Sequence, residues 1–155
     1  MIAVSYRLEL DELRHPVLIK EQDTNYDAEP FTQPEKIVAL CDEMIRLRYL
    51  AEENMIMVAV DTQNAVLGIF KVSQGIVDMT ICNPREIFIR ALLVGARGIF
   101  LVHNHPSGSC KPSKLDLQCA KRIEEVGKLI GIRLVDFIVV GKESFYSARS
   151  DGDIF

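Results

Sequence analysis

Residues 98–116 read GIFLVHNHPSGSCKPSKLD, and the order of residue types in this stretch determines how the fold is interpreted. The first five residues form a short, continuous apolar run, which is typical of a buried central strand. Two prolines and a glycine follow within residues 106–113, so the chain is predicted to form a constrained loop there. A helix is then predicted from Ser113 to Gly131, where the glycine provides the C-terminal stop.

Two further helices are predicted upstream of this stretch. Residues 32–35 (TQPE) have the spacing of a helix-opening capping box, and apolar residues at three-and-four spacing follow them. They indicate an amphipathic helix over residues 34–48. Another helix begins at Asn83, which is an N-cap residue followed by a proline, and is expected to end near Gly95 or Gly98.

The remaining apolar segments are predicted to be strands. Residues 55–73 contain two β-rich runs separated by the polar residues 61–64, which indicates a hairpin. Residues 132–140 and 144–149 are predicted to be the last strands of the chain. Hairpins combined with helical crossovers predict an α/β (α+β) fold, with a mixed, partly antiparallel β-sheet flanked by helices.

The chain is predicted to consist of an N-terminal arm and one domain. Residues 1–31 alternate short apolar runs with charges and are interpreted as an extended arm, and residues 32–155 as the domain. The arm could add a strand to its own sheet or to a neighbour's sheet, so a homo-oligomer stays open.

Composition excludes some classes of protein. The 155 residues carry a formal net charge of −4 and contain no run of basic residues, which argues against direct binding of nucleic acid through its phosphates. No stretch reaches the roughly eighteen apolar residues that a membrane span requires. The first residues do not have the pattern of an export signal, so a cytoplasmic location is expected.

The four cysteines contain no CxxC pair, and in a reducing cytosol they are expected to be free thiols. Cys110 lies in the same loop as a pair of histidines. It could act there as a metal ligand or as an oxidation-sensitive neighbour, and the sequence does not decide its role.

His103 and His105 are the first candidates for metal ligands. They are two residues apart at the end of a predicted strand, so both imidazoles lie on the same side. Metal coordination would satisfy one nitrogen of each ring, and the constrained loop can present Asp116 from the first helical turn. Two histidines and one carboxylate leave the fourth tetrahedral position of a zinc ion open for water, which is typical of a catalytic site.

Other interpretations of these residues stay open. Ser113 and Asp116 also have the spacing of a capping box, in which the aspartate only answers the N-cap serine. The two histidines could form an ordinary solvated loop pair. Glu53, at the start of a predicted strand, is the candidate general base, because a carboxylate there can project into the same cleft, whereas Glu52 would point the opposite way.

The HxHPSG motif at 103–108, followed by SxxD at 113–116, resembles the JAB/MPN (JAMM) metalloprotease signature. The sequence HNHPSG…PS…D is similar to the RadC-like branch of that family. The resemblance covers about residues 35–152 and includes Glu53, Gly75, the PRE sequence at 84–86 and the GIRLVDFIVVG strand at 131–141.

The resemblance implies a cytidine-deaminase-like fold, a site and an activity. It implies zinc at His103, His105 and Asp116, with Glu53 as the base that takes a proton from water and Ser113 as a donor to the oxyanion. The protein is accordingly expected to be a zinc hydrolase that cleaves an amide or isopeptide-like bond in a peptide or protein substrate.

Two departures from the RadC-like pattern weaken any role with DNA or alter the site. Members of that branch usually carry a helix-hairpin-helix segment before this domain, whereas the first 31 residues look extended. They also tend to have DH where this sequence has Asp136-Phe137. The alternatives are a binding module associated with DNA repair or mobile elements, with a structural or vestigial metal site, and an interaction domain whose metal only ties a loop to a helix.

Overall fold

The computed structural model of this protein describes residues 1–26, 33–75 and 83–153. It contains a mixed β-sheet with helices on both faces. The strands are β1 (Ile2–Leu10), β2 (Pro16–Asn25), β3 (Asn54–Val60), β4 (Val66–Gln74), β5 (Gly98–Asn104), β6 (Arg133–Val140) and β7 (Phe145–Ser147). The helices are α1 (Pro34–Ile45), α2 (Pro84–Leu93) and α3 (Lys114–Ile130).

The described strands follow the order β2-β1-β4-β3-β5-β6-β7 across the sheet. β3 is antiparallel to both of its neighbours, β4 and β5, whereas β5 and β6 are parallel and are joined through α3. The predicted mixed, partly antiparallel sheet is therefore confirmed. The predicted hairpin at residues 61–64 forms between β3 and β4, where Asp61 Oδ1 accepts hydrogen bonds from the backbone of Gln63 and Ala65.

The described part of the segment interpreted as an N-terminal arm, residues 1–26, contributes two strands to the same sheet. β1 and β2 form an antiparallel hairpin, and β1 pairs in parallel with β4 through Ser5 and Tyr6. Of the two sheets that the arm could have joined, this structure shows its own.

Each face of the sheet has its own apolar layer because side chains alternate along the strands. One layer packs against α2 and α3 and includes Met57 and Leu101, and the other packs against α1 and includes Val58 and Phe100. Every residue of β3 and β5 is buried. Burial on both faces explains why β5 begins with a continuous apolar run rather than with alternating apolar and polar residues.

The helix boundaries agree with the prediction at α3 and differ at α1. Ser113 is the N-cap of α3, and Gly131, with φ of 82°, ends it. The predicted helix over 34–48 ends at Ile45 instead, because Arg46 adopts a left-handed conformation with φ of 53° and a short 3₁₀ turn follows. The N-cap of α1 is Gln33, whose side chain makes no capping hydrogen bond, so the prediction of a capping box over residues 32–35 is wrong. Thr32 itself lies outside the described residues.

Three of the four cysteines lie among the described residues. Cys41 and Cys110 are free thiols, as predicted, whereas Cys119 is disulfide-bonded, so the expectation of free thiols is wrong for that residue. Cys82 lies outside the described residues.

Within the described ranges, no helix is long and apolar enough to cross a membrane.

Replacing Gly127 in α3 with alanine is expected to lower the free energy of unfolding by about 1–3 kcal/mol. An added Cβ would lie 2.3 Å from the carbonyl oxygen of Ile132 and 3.4 Å from the Phe88 ring. Helix propensity alone predicts the opposite sign, a gain of about 1 kcal/mol. Urea denaturation would measure the change. Leu129→Ala is the control, because Leu129 in the same helix is 88% exposed. A Gly127→Ala protein as stable as wild type would contradict this packing.

Candidate metal centre

Strand pairing places the candidate residues from distant parts of the sequence at one edge of the sheet. β3 begins beside the end of β5, and Met55 is the register partner of His103. Glu53, which immediately precedes β3, therefore lies next to the two histidines. The loop after β5 leads into α3, whose first turn presents Asp116 to the same point.

The side-chain atoms of these four residues converge. The two oxygens of Asp116 lie 3.6 Å from His103 Nε2 and 3.5 Å from His105 Nε2, respectively. Glu53 Oε2 lies 3.8 Å from His103 Nε2. His103 is 1% exposed on its side chain, whereas the other three side chains are 11–13% exposed. The site is thus enclosed without being sealed.

Backbone carbonyls hold the outer nitrogen of each imidazole ring. His103 Nδ1 lies 3.3 Å from the carbonyl oxygen of Asn54, and His105 Nδ1 lies 3.0 Å from that of Ser109. A carbonyl oxygen only accepts hydrogen bonds, so each Nδ1 carries the proton. Nε2 of each ring is therefore directed toward the carboxylates and offers its lone pair whenever the ring is neutral, which is the usual arrangement of metal-binding histidines.

These donors fit a metal ion chemically and geometrically. Two imidazole lone pairs and two carboxylates are all electron-pair donors, and a cation placed among them would relieve their mutual repulsion. Ligand bonds of about 2.0–2.1 Å at tetrahedral angles separate ligand atoms by about 3.4 Å, close to the observed spacings of Asp116. Glu53, His103 and His105 also offer ligand atoms within 4.8 Å of one another and could hold a metal ion.

The residues therefore form two overlapping candidate ligand sets. Both sets contain His103 and His105, and the third member is Asp116 in one and Glu53 in the other. Asp116 has the shorter spacings and approaches both rings. Asp116 and Glu53 thus remain two candidates for the third ligand, and the spacings favour Asp116.

The capping box that could have explained Asp116 without a metal is also present. Asp116 Oδ2 accepts a 2.7 Å hydrogen bond from the backbone of Ser113, and Ser113 Oγ accepts one of 3.1 Å from the backbone of Asp116. The two interpretations are thus compatible, because the same carboxylate caps α3 and approaches both histidines. Ser113 uses only a lone pair in the cap, so its hydroxyl proton stays available to another acceptor.

The charges of the site are mutually dependent. Burial lowers the pKa of His103, although Asp116 opposes that shift. The hydrogen bond that a protonated Nε2 makes with Asp116 raises the pKa of His105 despite its burial. Burial acts to raise the pKa of Asp116, but its bonds with His105 and Ser113 outweigh burial and lower the pKa to about 2. Asp116 is consequently a carboxylate at neutral pH.

Sequence reasoning did not single out Asn104, the residue between the two histidines. Its side chain is buried and hydrogen-bonded to the segment that carries Glu53. Strand alternation could have indicated this, because it places Asn104 on the face opposite to both histidines. A buried amide there requires partners on another strand or loop.

A core residue occupies the position at which the resemblance led us to expect a histidine. Phe137 is fully buried in the layer beneath α2 and α3. Its neighbour Asp136 accepts hydrogen bonds from Ser147 Oγ and from the backbone of Arg149. Asp136 thereby fixes residues 147–149 against β6. Packing thus takes the place of that histidine.

Cys110 contacts Ser144 rather than a ring of the site. Its Sγ lies 3.1 Å from Ser144 Oγ, in the turn between β6 and β7. The backbone of the histidine loop also packs against this turn, since Lys142 N donates to Gly108 O.

Comparison with known proteins identifies the family. The sequence matches the family of the RadC-like JAB domain over residues 31–153. It is 33% identical to a UPF0758 protein of Caldanaerobacter subterraneus, over 91% of this chain and 58% of that relative. UPF0758 proteins of Thermotoga maritima and Bacillus pumilus are 34% and 41% identical, over 77% and 68% of this chain and 52% and 47% of their own length.

This chain therefore belongs to the RadC-like JAB domain family, as its resemblance predicted. It spans about half the length of the curated relatives that it matches. The cluster of Glu53, His103 and His105 that could hold a metal ion is consistent with this family.

Replacing Ser113 with alanine is expected to lower the free energy of unfolding by about 1 kcal/mol, because the Asp116 amide loses its capping acceptor. Ser113→Thr keeps a hydroxyl there and should stay within a few tenths of a kcal/mol of wild type. Thermal or urea unfolding of both variants measures this difference. Equal stability of the alanine and threonine variants would show that the cap contributes nothing.

Proposed function

We propose that this domain is a zinc-dependent hydrolase that cleaves an amide or isopeptide-like bond, with zinc held by His103, His105 and Asp116. The observation that carries the proposal is the convergence of two Nε2 lone pairs and the Asp116 carboxylate beside a second carboxylate, Glu53. With Asp116 as the third ligand, the second carboxylate of the site, Glu53, is left to act as the base that hydrolysis needs next to the ligands.

The chemistry divides between the ion and the side chains around it. When bound, zinc lowers the pKa of water to about 7 and polarises a carbonyl group. Glu53 accepts the proton of the attacking water and then delivers it to the leaving amine. Its distance of 3.8 Å from His103 Nε2 supports that role.

Ser113 is proposed to stabilise the tetrahedral oxyanion. Its oxygen is held in the capping box with Asp116, and its hydroxyl hydrogen remains free to donate. A hydroxyl aimed at developing charge in a partly enclosed site contributes more than it would in water. Hydrolysis of an amide or isopeptide-like bond implies that the substrate is a peptide or an isopeptide-linked protein. We also propose a cytoplasmic location.

Metal content distinguishes the two candidate ligand sets. Wild type purified without added metal is expected to contain about one zinc ion per chain by mass spectrometry, and Asp116→Ala to lose most of it. Glu53→Gln should retain zinc. Ser113→Ala is the matched control, since it removes half of the capping box without removing a ligand, and it should also retain zinc. Loss of zinc in Glu53→Gln and its retention in Asp116→Ala would exchange the two roles.

Turnover tests Glu53 as the base. With a peptide or isopeptide substrate found by screening, Glu53→Gln is expected to lower kcat by about 10²–10⁴-fold while zinc content stays that of wild type, because glutamine cannot accept the proton. Glu52→Gln serves as the control, since its carboxylate contacts the Gln74 side chain instead. An unchanged rate in Glu53→Gln would eliminate this residue as the base.

A further inference from the structure

We propose that Asn104 is a positioning residue that holds the segment carrying Glu53 in place beside the metal ligands, an inference that rests on the proposed function. Asn104 is the last residue of β5 and is 1% exposed. It lies between His103 and His105 in the chain, but strand alternation turns its side chain away from them. It reaches residues 50–54 instead.

The side chain of Asn104 makes hydrogen bonds on both sides of Glu53. Its Oδ1 accepts a 2.7 Å bond from the backbone of Asn54, and its Nδ2 lies 3.1 Å from the carbonyl oxygen of Glu52. The same Nδ2 approaches the carbonyl oxygen of Leu50 at 3.4 Å. One amide group thus bonds to the peptide units that immediately precede and follow Glu53.

The segment that carries Glu53 depends on the Asn104 side chain because residues 51–53 lie outside regular secondary structure. Residues 51–53 precede β3, and the register between β3 and β5 begins only at Met55 and His103. Beyond that point, Asn104 supplies the cross-strand hydrogen bonds that the ladder would otherwise provide. The carbonyl oxygen of Glu53 accepts a further bond from the Gly75 backbone, which fixes the other side of the segment.

The same peptide segment also orients a metal ligand. The carbonyl oxygen of Asn54 accepts from His103 Nδ1, while the amide of Asn54 donates to Asn104. Residue 54 therefore connects the ring of His103 to the side chain that fixes Glu53. A shift of this segment would move the base relative to the ligand that lies 3.8 Å from it.

An asparagine fits this position for a chemical reason. The contacts need one acceptor for the Asn54 amide and a donor group for two carbonyl oxygens, and a single carboxamide offers both. Aspartate keeps the acceptor but places a second acceptor against the carbonyls, and alanine keeps neither. Both substitutions should release residues 50–54 while His103, His105 and Asp116 stay available to zinc.

The first test measures amide hydrogen exchange by NMR in zinc-loaded wild type, Asn104→Asp and Asn104→Ala. Exchange is expected to accelerate across residues 50–53 in both variants, and also at Asn54 in Asn104→Ala, which loses the acceptor of that amide. The amides of Met57 and Val58 should stay unchanged, and zinc content should be retained. Val102→Ala is the matched control, because Val102 lies on the same face of β5 and is also buried. That control should not accelerate exchange in residues 50–54 selectively.

The second test is a double-mutant cycle with Glu53→Gln. Each Asn104 variant is expected to lower kcat about 10–100-fold, as supporting residues of metal sites do. Combined with Glu53→Gln, it should cause little further loss, because its effect acts through that carboxylate. The Val102→Ala effect should instead multiply with that of Glu53→Gln.

The outcomes separate this inference from the proposed function. Multiplicative losses for Asn104 and Glu53, or exchange in residues 50–54 that stays at the wild-type rate, would overturn the positioning role. If wild type hydrolysed no substrate, the proposed function would fail, and hydrogen exchange together with zinc content would still decide whether Asn104 holds the segment. Retained zinc with selective exchange supports it in either case.

Discussion

The antiparallel pairing of β3 with β5 is the constraint on which the candidate site depends. It places the start of one strand beside the end of the other, so that Glu53 and His103, fifty residues apart in sequence, become neighbours. Because both strands are buried on both faces, their register is held by apolar side chains in two layers. A shift of one residue would exchange those layers and turn His103 away from the site. The packing of the core therefore fixes the chemistry at its edge.

The site concentrates carboxylates and imidazole nitrogens around a buried ring, so its charges depend on one another. Burial disfavours a charged His103 and lowers its pKa, while Asp116 remains ionised and raises the pKa of His105. Positive charge at this point, from a proton or a metal ion, offsets that arrangement. A metal that binds only the folded state would also stabilise the fold, by about 4 kcal/mol at a thousand times its Kd. A bound cation would therefore add to the stability that the capping bonds of Asp116 already supply.

The sequence predicts the secondary structure and the candidate site residues more readily than the hydrogen bonds that support those residues. The apolar run before His103 and the glycine at 131 indicate the strand and the helix that the structure contains, because both patterns are local. The early end of α1 at Arg46 is not predictable from apolar spacing, since Met44 and Leu47 continue the helical pattern beyond the left-handed residue. Likewise, Asn104 acts on residues fifty positions away, and only the strand register shows that they meet.

Asp116 shows why capping and metal binding could not be separated from sequence alone. A capping box and a carboxylate ligand require the same residue type at the same spacing from the serine. In the structure one oxygen, Oδ2, accepts from the Ser113 backbone and approaches His105, while Oδ1 approaches His103. The cap fixes the carboxylate in the first turn of α3, so its orientation toward the rings does not have to be gained when a cation binds. Helix capping thus preorganises the carboxylate, so the local interpretation of SxxD is compatible with the ligand role that we propose for Asp116.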